Sequence, residues 1–160
     1  MRQQVKSPAR GGFLVTRQSV NRMINLIVIT HGEFGAYLIE AAEGIVGLQT
    51  AGLKNVPISP RMTLERVKES ASAAIEEMRS EDGLILLIDM PGGTPMNVAL
   101  PLVRDIRKCA IICGVNINMM TSAFAYRQSL DFNRLTAKII EDGRKAICEV
   151  KSLLLGKNGS

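Results

Sequence analysis

Histidine occurs once in this sequence, as His31, at the end of the apolar run Asn25–Thr30 and just before Gly32. Asp89 stands in the same relation to a second apolar run, Leu84–Ile88. A carboxylate that closes an apolar run is costly unless it has a partner. If that partner is an imidazole, the carboxylate accepts its Nδ1–H, fixes the tautomer and leaves Nε2 as a nucleophile. Three residues on, Gly92-Gly93-Thr94 offers backbone N–H groups and a hydroxyl ahead of a predicted helix, which is a cradle for a phosphate. Each part has a plainer reading: a surface histidine, a capping aspartate, an ordinary glycine turn. Gathered at one edge of a fold, the three point to phosphoryl transfer through a phosphohistidine.

Other phosphate chemistries do not fit. Gly92-Gly93-Thr94 lacks the Gly-Lys-Ser/Thr of a P-loop, and Gly32-x-x-Gly35 lacks the glycine pattern of a dinucleotide site. Without a Lys/Arg triad or a carboxylate cluster for Mg²⁺, the sequence does not read as an ATP-using kinase. One histidine and three cysteines do not make a zinc spacing, so neither metal nor organic cofactor is expected. Cys109, Cys113 and Cys148 are an odd set without a paired framework, which suits a reducing cytoplasm. They read as small core residues.

The elements that must position these residues follow from periodicity. Asn25–Thr30 and Leu84–Asp89 are apolar on both faces, as buried parallel strands are. Leu53–Ser59 alternates like a more peripheral strand, and Cys109–Cys113 is a short fourth one. Ala36–Val46, Thr63–Arg79, Met96–Arg107, Ile117–Ala125 and Asp131–Asp142 carry helical spacing. Thr94 is placed to cap the third helix with Pro95 at its first position, and Gly143 to stop the fifth. Lys145–Val150 reads as a last short strand. The order β-α-β-α-β-α-β-α-α-β predicts an α/β fold: a mostly parallel central sheet with helices on both faces. Ligands of such sheets bind beyond the carboxyl ends of the strands, where Thr30, Asp89 and Cys113 lead into loops. Met90, Pro91, Asn116, Met119 and Met120 fall on those loops. Methionines there suit an adaptable docking surface for two successive partners, with core filling as the alternative.

Composition narrows the class further. The 160 residues are 46% hydrophobic and 22% charged, a globular balance with room for one domain. The net charge of +5 suggests an anionic partner. However, five of the twenty basic residues lie before Asn25, where there is no acid, and the remaining fifteen balance fifteen acids. The body is neutral, which removes the case for nucleic acid. No unbroken apolar run exceeds five residues, far short of the roughly 20 that span a bilayer. Residues 1–22, rich in Arg, Gly, Ser and Gln, are expected to be a disordered, dispensable basic extension, an upstream start or an added leader. Met23-Ile24-Asn25 looks like a natural beginning, and 155–160 like a frayed tail.

Ile29-Thr30-His31-Gly32, the stretch Ile88-Asp89-Met90-Pro91-Gly92-Gly93-Thr94-Pro95-Met96-Asn97 and Gly114-Val115-Asn116 resemble the IIA component of the mannose/fructose/sorbose family of the bacterial phosphotransferase system (PTS). The resemblance runs over residues 23–154. It implies a cytoplasmic phosphotransferase domain that takes a phosphoryl group from HPr and passes it to a IIB component for sugar uptake, with IIC and IID membrane components involved indirectly. It assigns the phosphorylated histidine to His31, the orienting aspartate to Asp89 and the phosphate-site hydroxyl to Thr94. It also implies a homodimer that exchanges a C-terminal strand, falling on Lys145–Val150. One departure is Asn118, where the family has proline. Two other readings use the same site: a regulatory phosphohistidine module that reports sugar supply, and the IIA-like subunit of dihydroxyacetone phosphorylation.

Overall fold

Leu84–Ile88, the chain's most apolar five residues, forms strand β3, and every one of them is buried. It lies inside a sheet with β1 (Asn25–His31), β2 (Leu53–Ile58) and β4 (Cys109–Cys113). The strand order is β2-β1-β3-β4 and every pairing is parallel. The computed structural model of the protein describes residues 22–155. The expectations for residues 1–21 and 156–160 lie outside the described residues. Within them the helices are α1 (Phe34–Val46), α2 (Leu64–Met78), α3 (Thr94–Val103), α4 (Ile117–Tyr126), α5 (Phe132–Lys145) and α6 (Val150–Leu155).

The α/β architecture with a parallel sheet is as the periodicity predicts. Successive strand residues face opposite sides, so the runs in β1 and β3 feed two separate cores. Ile27, Ile29, Leu84, Leu86 and Ile88 pack against Val67, Ala71 and Ile75 of α2 and Val98 and Ala99 of α3. Leu26, Val28, Ile85 and Leu87 pack against Ala42 of α1, Met120 and Phe124 of α4, and Leu135 and Ile139 of α5. Pro57, which lacks an N–H, falls on β2 at the sheet's edge, where its missing donor is tolerated.

Four local expectations are corrected. Lys145–Val150 is not a strand: α5 runs to Lys145, residues 146–149 are irregular, and Val150 opens α6. Among the described residues nothing pairs with the outer edge of β4, and the segment does not return to it within the chain. Gly143 does not stop α5 but lies inside it, buried, because the helix must approach Met119 there; an added Cβ would collide with the Met119 side chain. The third helix ends at Val103, not Arg107. Its cap is Gly93, with Thr94 as the first helical residue.

Candidate functional site

β1 and β3 are adjacent and parallel, with Ile29 beside Ile88, so His31 and Asp89 emerge from the same edge. Asp89 Oδ2 accepts from the His31 backbone N–H at 2.8 Å and lies 2.8 Å from His31 Nδ1. Its Oδ1 accepts from the Met90 amide at 2.9 Å. With Nδ1 as the donor, Nε2 is the nitrogen left free. The imidazole is 48% exposed, whereas the Asp89 side chain is 13% exposed. Burial pushes the Asp89 carboxyl up, but the amide and ring of His31 and the Met90 amide together outweigh it. The group therefore sits below its ordinary value and is ionised at neutral pH.

The loop after Asp89 brings in the cradle. Gly92 takes φ 76°, a left-handed conformation suited to glycine. The Gly93 position faces the imidazole, and a Cβ there would lie 3.2 Å from His31 Cε1. Thr94, exposed at the start of α3, lines a cleft of about 360 Å³ together with His31. Gly93 and Thr94 lie where a helix N-terminus leaves amides without intrahelical partners. The Gly92 amide is turned instead toward Met96 Sδ at 3.3 Å, and the Asn97 Nδ2 donates to the Gly92 carbonyl at 3.1 Å, fixing the loop from within.

The docking residues expected from sequence divide. Met90 is 52% exposed and Pro91 is also open, so both remain available to a partner. Met119 is 3% exposed and Met120 fully buried; they sit in α4 and fill the core beside α5. Met119 therefore has no surface to offer. Asn116 is occupied as the α4 cap: its Oδ1 accepts from the Asn118 and Met119 amides at 3.1 Å. Asn118 N–H serves that cap, a role proline could not fill.

Thiol chemistry is disfavoured at both ends of β4. Burial pushes the Cys109 thiol, at the amino end beside Leu84, up to about 11, and burial together with the charge of Asp89 raises Cys113, at the carboxyl end beside Ile88. Sequence reasoning missed two positions. Ser59, just after β2, shares the cleft with His31; its signal was only that it follows a strand on the same edge. Arg127 is 1% exposed, far from this edge, and nothing in its polar neighbourhood announced a buried cation.

This parallel α/β sheet, with a histidine–aspartate pair at its carboxyl edge, has the fold of PTS EIIA proteins. It matches the crystal structures of a phosphotransferase system component EIIA from Streptococcus agalactiae (TM-score 0.72, 24% identity, 81% of this chain and 99% of that one) and of a PTS IIA protein associated with the fucose utilization operon of Streptococcus pneumoniae (TM-score 0.74, 23% identity, 83% and 98%). At these identities the likeness is one of fold. In sequence, the chain is 28% identical over 130 residues to the mannose-specific EIIAB component of Escherichia coli K12, covering 81% of this chain and 40% of that one. It is 27% identical over 108 residues to the fructose-specific EIIA component of Bacillus subtilis, covering 68% and 73%. The chain thus spans about 40% of the length of the EIIAB relatives it matches. Residues 25–140 match the EIIA-man family model, described as the PTS system fructose IIA component, and the chain belongs to this family.

Proposed function

We propose that His31 carries a phosphoryl group between two PTS proteins, taking it from the phosphohistidine of HPr and passing it to a IIB component. The observation that carries this reading is the 2.8 Å contact between His31 Nδ1 and an ionised Asp89 on a half-exposed imidazole. The Nε2 lone pair attacks the donor's phosphorus, a P–N bond to His31 forms as the donor's P–N bond breaks, and the donor imidazole leaves. Positive charge developing on the His31 ring is met by Asp89 through Nδ1–H. Thr94, Gly93 and the start of α3 hold the phosphoryl oxygens. Passage to IIB is the same displacement in the other direction. The transfer needs positioning and electrostatics, not a metal.

The domain that does this spans residues 23–154 and works in the cytoplasm, with IIC and IID components downstream of IIB. Among the described residues no helix is long and apolar enough to cross a membrane, which agrees with a carrier that meets membrane components only through IIB. Met90 and Pro91 belong to the face both partners use. A homodimer that pairs the open edge of β4 with a C-terminal segment of a second copy is part of this reading.

The test is incubation with phosphorylated HPr, followed by intact mass and acid lability of the phosphate. Wild type is expected to gain one acid-labile phosphoryl group and lose it to a IIB protein. His31→Ala is expected to gain none, and acceptance by that variant would overturn the assignment.

A further inference from the structure

We propose that Ser59 is a second phosphoryl-binding hydroxyl, which donates to the group carried on His31 from the flank opposite Thr94. The inference rests on His31 being the acceptor. In the sheet order β2-β1-β3, the His31 strand lies between the strand that ends before Ser59 and the strand that leads to Asp89 and Thr94. His31 is in register with Ile58, and the Gly32 amide donates to the Ile58 carbonyl at 2.9 Å. Ser59 is therefore the residue that leaves β2 beside the imidazole, and it lines the same cleft as His31 and Thr94.

Its hydroxyl is prepared for donation. Ser59 Oγ accepts from the Arg61 amide at 3.2 Å, which engages a lone pair and leaves the O–H free. The remaining lining of the cleft, including Ile58, Met62 and Val67, is apolar, and no cation is part of it. A phosphoryl group held at Nε2 turns some of its oxygens toward this wall. Anionic oxygens against apolar surface are costly unless a donor meets them. On the β2 flank of the cleft Ser59 is the side chain that has one. During transfer Ser59 neither gains nor loses a proton; its O–H hydrogen-bonds the phosphoryl oxygen while the P–N bonds exchange.

Hydrogen bonds to charged groups are the stronger ones, and removing one such donor is worth about tenfold. The experiment follows phosphate uptake from phosphorylated HPr by wild type, Ser59→Ala, Ser59→Thr and Ser59→Asp, and records the ³¹P spectrum of each phosphorylated chain. Ser59→Ala is expected to slow uptake about tenfold and move the phosphohistidine resonance, and Ser59→Thr to restore both. Ser59→Asp keeps an acceptor for the Arg61 amide but repels the phosphoryl group, so it is expected to be slower than Ser59→Ala. If the residue only shapes the turn, Asp rescues and the proposal falls. Uptake by Ser59→Ala equal to wild type, with an unmoved resonance, also overturns it. If wild type takes no phosphate, the acceptor reading fails and this inference fails with it; an active wild type beside an unaffected Ser59→Ala sinks this inference alone.

Discussion

The two ends of the sheet each hold a side-chain charge withdrawn from water, and they treat it in opposite ways. At the carboxyl edge, Asp89 is surrounded by N–H donors and faces a half-exposed imidazole. At the amino edge, Arg127 is 1% exposed and, among the described residues, pairs with no carboxylate. Its guanidinium donates to the Ala51 and Gly52 carbonyls at 2.5 and 2.6 Å, while Nε is buried without a partner among the described residues. Burial pushes its pKa down. The Arg127 carbonyl also accepts from the Ile24 amide at 3.1 Å. One residue thereby ties the end of α4 to the entry of β1 and to the α1–β2 loop. The lesson is that depth alone does not identify a working charge. Arg127 is the deeper of the two, yet among the described residues its side chain donates only to backbone carbonyls. Asp89 is shallower, and its partner reaches solvent.

That contrast predicts separable failures. Asp89→Asn should cost phosphate acceptance most, roughly a hundredfold in transfer rate, because the amide cannot hold the ring as its imidazolium charge develops. Stopped-flow or quench measurement with phosphorylated HPr checks it, and a near-wild-type rate would remove Asp89 from the chemistry. Arg127→Met should do the reverse. Losing both carbonyl contacts is expected to lower folding stability by about 3 kcal/mol, read from urea midpoints, while the folded fraction still accepts phosphate at the wild-type rate. Gly93→Ala should slow transfer a few-fold, since its methyl group would press on His31 Cε1, with little change in stability.

The smallest effect is in pH. The Asp89 carboxyl is held below its ordinary value in the fold, so its charge contributes stability that is complete above the ordinary carboxylate range. That contribution is lost as pH falls through the depressed folded value. The stability difference between wild type and Asp89→Asn should therefore narrow on acidification. A difference that stays constant from neutral pH into the acid range would show that the charge contributes nothing.

Much of this was legible in the sequence, for reasons that can be named. β1 and β3 are unmistakable because both their faces are buried, so Leu26–Ile29 and Leu84–Ile88 are unbroken apolar runs. α2 is clear because Val67, Ala71, Ala74, Ile75 and Met78 fall on one stripe. The nearness of His31 and Asp89 follows once both strands are placed in one parallel sheet. What failed depended on partners distant in sequence. Ala-Ile-Cys-Glu-Val after Lys145 is short and mostly apolar like a strand, but composition alone does not bring it back to the edge of the sheet. Gly143 resembles a helix stop because the sequence does not reveal Met119 pressing from α4. Met119 looked like a surface residue for the same reason. Ser59 carried only the signal of following a strand on that edge, since its neighbours in the cleft include His31 and Thr94 from distant segments.

The anchoring of His31 has one more consequence. A half-turn of the imidazole about its bond to Cβ would exchange Nδ1 with a carbon and replace the 2.8 Å contact to Asp89 with a C–H. That exchange forfeits a charge-assisted hydrogen bond in a site walled by Gly93 on another side. The ring is thus keyed like a plug that enters its socket one way round. A relay built on it has a fixed regiochemistry: the nitrogen that receives cargo is the nitrogen that surrenders it, and every cycle leaves the same isomer.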